Sequence, residues 1–108
     1  MSIFTEYSGK FPQAQLNRKS NGVLQVRLHT DGGKLVFNGE THQQFVDLFH
    51  TIGEDRDNRV LILTGTGDAF MDEISPEGFD FSTPRGYDKI FREGRKILSN
   101  ILDIEVPM

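Results

Sequence analysis

Five consecutive apolar or β-branched residues, Val60 to Thr64, run directly into Gly65-Thr66-Gly67, and this junction constrains the fold more than any other stretch. Such a run, without polar alternation, predicts a strand covered on both faces by helices. The glycines predict a tight turn, from which Asp68, Ala69 and Phe70 lead away. A turn of this kind after a strand can simply reverse the chain, or it can present backbone N–H groups to a site.

Phosphate cradling is the use the residues disfavour. The third glycine of a G-x-G-x-x-G pattern is absent, and no Gly-Lys-Ser/Thr follows. Asp68, Asp72 and Glu73 would also repel a phosphate. A plain turn and a donor-presenting turn both remain open on the residues alone.

The length of 108 residues bounds the chain at one domain. A chain of this size buries roughly 60–65% of its unfolded surface, enough for a modest core. With 36% hydrophobic and 26% charged residues, the composition is that of a folded globule. Twelve basic against sixteen acidic side chains give a net charge of −4, and Lys/Arg never exceed two in a row. Nucleic acid is therefore not expected as a partner. The absence of cysteine removes disulfides, thiolate chemistry and cysteine-ligated zinc. No apolar stretch approaches the ~20 residues of a membrane span, and "MSIFTEYSGK" lacks the layout of a signal peptide. The expected location is the cytoplasm, with no membrane partner.

Residues 1–14 read as a lead-in without periodicity. Residues 15–19 and 23–30 flank Asn21-Gly22, the pair favoured in a two-residue type I′ hairpin. In the second strand Leu24, Val26 and Leu28 alternate with Gln25, Arg27 and His29, which predicts a half-buried strand with His29 on its polar side. "DGG" at 31–33 is a turn, and 35–37 a short extended piece. Thr41 and Gln44 fit a capping box, and Phe45, Leu48, Phe49 and Ile52 recur at helical spacing until Gly53, expected to stop the helix. Residues 54–59 read as a polar loop. Pro84 begins a second helix with Ile90, Gly94, Ile97, Leu98 and Ile101 on one stripe. "IEVPM" reads as the start of another strand. This order predicts an α/β fold with a mostly parallel sheet.

Among three histidines His42 carries the most information. Just after a Thr41 cap it would sit at a helix N-terminus, where the partial positive charge disfavours imidazolium and leaves a ring able to move a proton. The residues alone favour a capping or core role for it, and a structural or surface role for His29 and His50. Asp68, Asp72, Glu73, Glu77 and Asp80 lack metal-ligand spacing and read as a solvated acidic loop. Phe70, Phe79 and Phe81 in that loop are expected to cover something apolar.

"DRDNRVLILTGTGDAFMDEI", "LHT" before a glycine turn, "LVF" before a helix, "THQQF" around His42, and "EGRKILSNILDIEVP" together resemble the crotonase (enoyl-CoA hydratase/isomerase) superfamily. The closer resemblance is to its β-diketone hydrolase, or 6-oxocamphor hydrolase, branch. It spans nearly all of residues 20–107. It implies a crotonase-like ββα spiral, of which residues 1–108 would be the N-terminal portion. It also implies retro-Claisen hydrolysis of a carbon–carbon bond in a small-molecule diketone, through an oxyanion and enolate held by two backbone N–H groups. No metal or redox cofactor is implied, and a homo-oligomer, trimer or hexamer, is.

Carried over by position, His42 matches the branch's helix-start active-site histidine. The backbone at Met71 and Asp72 matches the place of the first oxyanion donor. Phe37 matches a tryptophan lining the substrate pocket, keeping the apolar wall and losing the indole donor, and Phe70 joins that pocket. The acyl-CoA members of the superfamily continue after Ala-Phe with a glycine-containing stretch. Here "MDEI" replaces it, which disfavours coenzyme A.

The resemblance further implies a chain running well past "EVP", with a second oxyanion segment, a His-Asp pair and a glutamate. The first expectation is thus the N-terminal part of a β-diketone hydrolase, inactive by itself. The alternatives are an acyl-CoA hydratase or isomerase, and a non-catalytic module that associates through the sheet edge at "IEVPM".

Overall fold

The computed structural model describes residues 3–108. In chain order its elements are α1 (Phe4–Tyr7), β1 (Ala14–Arg18), β2 (Val23–Leu28), β3 (Val36–Phe37), α2 (Gly39–Glu54), β4 (Val60–Thr64), β5 (Glu73–Ile74) and α3 (Pro84–Leu102). β2 lies between antiparallel β1 and parallel β4, and β3 pairs with β5 in a separate parallel ribbon. The sheet is therefore mixed rather than mostly parallel, because β1 and β2 are a hairpin.

That hairpin turns differently from the sequence expectation. Gly22 N–H donates to Lys19 O at 3.0 Å, and of the two expected positive-φ residues only Gly22 has one, at +90°. Ser20 and Asn21 are thus the central residues of a type I turn closed by a left-handed glycine. The type I′ turn lies instead at Asp31-Gly32, with φ of 51° and 84°, between the mutually bonded Thr30 and Gly33. His29 Nδ1 accepts from Gly32 N–H at 3.0 Å there, which is a structural role.

The alternation of β2 puts Leu24, Val26 and Leu28 into the core beside Leu61. Against this face α2 buries Phe45, Leu48, Phe49 and Ile52, each worth roughly 1.5–3 kcal/mol in apolar area removed from water. The opposite face of the sheet is open. There Gln15, Asn17, Gln25 and Arg27 flank Ile62, which is 41% exposed. The expectation of a doubly covered β4 fails because the register sets Ile62 beside Gln25 on that polar face.

The α2 helix begins three residues earlier than the capping pattern predicted. Asn38 is its cap: Thr41 N–H donates to Asn38 Oδ1 at 3.0 Å, and Asn38 N–H to Thr41 Oγ1 at 3.3 Å. The helix also runs through Gly53 to Glu54. A side chain at 53 would press on Ile104 at 3.1 Å, so this glycine admits a neighbour rather than ending the helix.

Two segments read as irregular carry buried structure. The lead-in contributes Tyr7 and Phe11 to the core. The loop after α2 buries Asp55, 3% exposed, and Asn58. Asp55 accepts from Arg18 at 2.7 Å and from the Tyr7 hydroxyl at 2.5 Å, while Asn58 Nδ2 donates to Ile52 O at 3.0 Å. Burial first, and then the bond to Asp55, push the Tyr7 hydroxyl far above its ordinary titration range.

Thr83 caps α3, accepting from Gly86 N–H at 3.0 Å, and Pro84 is its first residue. Ile97 and Ile101 pack on the core, and Asn100 donates to Val46 O at 2.9 Å. Leu98 is off this stripe and 65% exposed, and Tyr87, Phe91 and Leu102 are exposed as well. The tail forms no strand; Leu61 N–H donates to Pro107 O at 2.9 Å, so the tail covers part of the β4 edge. No helix among the described residues is long and apolar enough to cross a membrane.

Candidate active site

The end of β4 is folded back on itself. A Cβ at Gly65 would lie 2.5 Å from Ala69 O and 2.6 Å from Phe70 Cα. Glycine is therefore required by backbone-to-backbone contact, which is the physical content of the strand-glycine junction. Thr66 and Ala69 bridge across a turn in which Gly67 has φ of 77°. Thr66 Oγ1 donates to Leu28 O at 2.8 Å and accepts from Arg27 at 3.1 Å, fastening the turn to β2.

Two of the acids beyond the turn, Asp68 and Asp72, share one lysine. Lys34 Nζ reaches Asp68 at 3.4 Å and Asp72 at 3.2 Å. The hydrogen bond to Asp72 foremost, with that to Asp68, raises the lysine above its ordinary value. Met71 and Asp72 lie between this anchor and β5, and neither backbone N–H meets an acceptor among the described residues. With Phe37, Glu73 and Ile74 they line an open cavity of about 260 Å³. Three of the residues singled out from sequence, Phe37, Met71 and Asp72, thus share one concavity. Phe70 does not line it; its side chain is 48% exposed while its backbone packs on Gly65.

His42 lies behind Phe37. It is 8% exposed, and its ring meets Phe37 edge-on at 5.9 Å and Phe79 at 5.5 Å between centroids. Because α2 starts at Gly39, His42 is the fourth helical residue, and its N–H already donates to Asn38 O at 3.0 Å. The helix-end charge, which fades within the first turn, is not its nearest electrostatic neighbour. That neighbour is Glu93 of α3, whose Oε1 lies 3.0 Å from His42 Nδ1. On the other side of the ring, a Cβ at Gly94 would be 3.6 Å from Nε2.

Glu93 is therefore a neighbour of the candidate site that the sequence expectations did not name, and Phe79 one they named only as a loop aromatic. Phe79 stood among three loop aromatics expected to cover something apolar, and His42 is what it covers. Glu93 had a legible signal: it falls among Ile90, Gly94 and Ile97 on the packed side of α3, an acid where an apolar residue is the rule. Among the described residues no group of three or more His, Cys, Asp or Glu is arranged to hold a metal ion.

The residues thus set the Met71 and Asp72 backbone beside the apolar ring of Phe37, with His42 and its carboxylate neighbour Glu93 behind that ring. Backbone N–H groups can donate to a charged oxygen, and an imidazole can move a proton.

No protein-family model and no curated protein matches the chain. Solved structures do. A β-diketone hydrolase from the cyanobacterium Anabaena sp. PCC 7120, bound to (S)-3-oxocyclohexyl acetic acid, superposes with a TM-score of 0.91 at 51% identity, over 94% of this chain and 41% of that one. An enoyl-CoA hydratase/carnithine racemase from Magnetospirillum magneticum matches with a TM-score of 0.73 at 24% identity, over 94% of this chain and 40% of that one. An enoyl-CoA hydratase from Mycobacterium smegmatis gives 0.71 at 20% identity, over 89% and 38%. The last two likenesses show the fold alone. The chain spans about two fifths of the length of each of these structures.

Proposed function

Since this chain belongs to the crotonase superfamily, we propose that it supplies part of the site of a β-diketone hydrolase, which cleaves a carbon–carbon bond between two carbonyls with water. The observation that carries the reading is the 51% identity, over 94% of this chain, to a β-diketone hydrolase. The concavity of Phe37, Met71 and Asp72, with His42 behind it, supports it.

Water adds to one carbonyl, giving a tetrahedral oxyanion. That oxyanion collapses to a carboxylic acid as the carbon–carbon bond breaks, and the second carbonyl leaves as an enolate. Both steps place negative charge on oxygen, and the N–H groups of Met71 and Asp72 are the proposed donors to it. His42 takes the proton of the attacking water and returns it to the enolate carbon, so protons balance over the cycle. Phe37 supplies an apolar wall.

The relatives are more than twice as long, so further groups of the site are proposed to lie in sequence beyond this chain, and the 108-residue chain alone to be inactive. A homo-oligomer in the cytoplasm is proposed with it. The exposed Tyr87, Phe91, Leu98 and Leu102 of α3 support association. Acyl-CoA chemistry is the weaker reading, since Asp72 and Glu73 line the cavity where a phosphorylated ligand would enter.

The test is incubation of the protein, as its host makes it, with a cyclic 1,3-diketone in ¹⁸O-water. Hydrolysis yields an open-chain keto acid with one ¹⁸O in its carboxylate; an unchanged diketone, alongside turnover of an enoyl-CoA, would reverse the assignment.

A further inference from the structure

We propose that Glu93 is a positioning residue that decides which nitrogen of His42 exchanges protons, and that Gly94 keeps that nitrogen uncovered. The chemistry this serves rests on the diketone hydrolysis proposed above, whereas the positioning itself does not.

A carboxylate accepts hydrogen bonds and cannot donate them. The ring nitrogen 3.0 Å from Glu93 Oε1, Nδ1, must therefore carry the hydrogen. In the neutral ring this leaves the lone pair on Nε2. The rings of Phe37 and Phe79 hold the imidazole edge-on from two directions and offer it no competing polar partner. Glu93 is thus the group that selects the tautomer, which is how second partners commonly tune an imidazole.

Gly94, the next residue of α3, faces the other nitrogen. Glycine is a poor residue for a helix interior, and close backbone packing would ordinarily explain it. Here that explanation fails. A Cβ at position 94 would meet only Nε2 at 3.6 Å and Cε1 at 4.0 Å of His42, both ordinary contact distances. Packing alone would accept alanine. What alanine would remove is a methyl-sized opening beside the lone pair of Nε2. Consecutive residues of one helix therefore act on the two nitrogens of one ring, the first holding Nδ1 and the second leaving Nε2 approachable.

The decisive experiment is ¹⁵N NMR of histidine-labelled protein at a pH where the rings are neutral. Wild type is expected to show His42 protonated on Nδ1. Glu93→Leu is expected to move the tautomer ratio at least tenfold toward the Nε2–H form, and Glu93→Gln, whose side-chain oxygen still accepts, to restore most of the Nδ1–H form. A wild type protonated on Nε2, an unaltered ratio in Glu93→Leu, or a Glu93→Gln ratio no different from that of Glu93→Leu overturns the positioning role. For Gly94→Ala the probe is diethyl pyrocarbonate, read at each histidine by mass spectrometry. A drop of fivefold or more at His42, with His29 and His50 unchanged, is expected, and an unchanged His42 rate overturns the role of Gly94. If diketone is hydrolysed, Glu93→Leu lowers kcat tenfold or more with KM within twofold. If the tautomer moves but wild type cleaves no diketone, the positioning role stands and the reaction assignment falls.

Discussion

Glu93 Oε1 lies 3.0 Å from His42 Nδ1, joining the middle of α3 to the first turns of α2. Both side chains are largely buried, at 18% and 11% exposed. Removing the imidazole would leave a carboxylate under a helix without its partner. His42→Ala is therefore expected to lose about 1–3 kcal/mol of stability, measured by urea denaturation. A variant as stable as wild type would mean that the contact contributes nothing to helix docking.

Asp55 is the most deeply buried acid in the fold, and Arg18 answers its charge at 2.7 Å. Breaking such a pair from one side strands the other charge, at a cost of about 3–5 kcal/mol. Asp55→Ala should lose that much in equilibrium unfolding, whereas an exposed acid such as Glu54 should change little. Equal effects at the two positions would contradict the network.

Tyr7 gives a signed pH prediction. Its hydroxyl is raised by burial and by Asp55, so the folded state keeps its proton above ~10, where the unfolded chain loses it. The stabilisation is complete below that pH and declines as pH rises through the alkaline range. Tyr7→Phe should remove this part of the alkaline loss, seen as a flatter stability profile above pH ~10. A profile parallel to wild type there would show that Tyr7 titrates normally.

The turn at Gly65 permits a sharper test than any surface contact. A Cβ would meet backbone at 2.5 Å, and backbone does not swing away. Gly65→Ala is expected to cost about 1–3 kcal/mol and to change amide exchange at Met71 and Asp72. Unaltered exchange at those two residues would separate the turn from the cavity.

What was legible in the sequence followed short-range periodicity. Leu24, Val26 and Leu28, and Phe45, Leu48, Phe49 and Ile52, take the buried positions their spacing demands. The start of α2 was misplaced because Asn38 and Thr41 are both good caps. The choice between them was made by tertiary contact, with Thr41 Oγ1 donating to the buried Gln13 at 2.6 Å. Asp55 reads as loop because its partners Tyr7 and Arg18 are 48 and 37 residues away. Of the residues that the resemblance singles out, Phe37, Met71 and Asp72 line one concavity, and Phe70, 48% exposed, does not. Glu93 lies 51 residues from His42 and needed the packing of α3 on α2 to be found.

His42 is proposed to move protons in carbon–carbon bond hydrolysis. The most direct measurement is the decay of ultraviolet absorbance of a cyclic 1,3-diketone with the host-made protein and its His42→Ala variant, both shown to be folded. Decay is expected with wild type, slowed about 10²–10⁴-fold in the variant. An equal rate in the two proteins would contradict it.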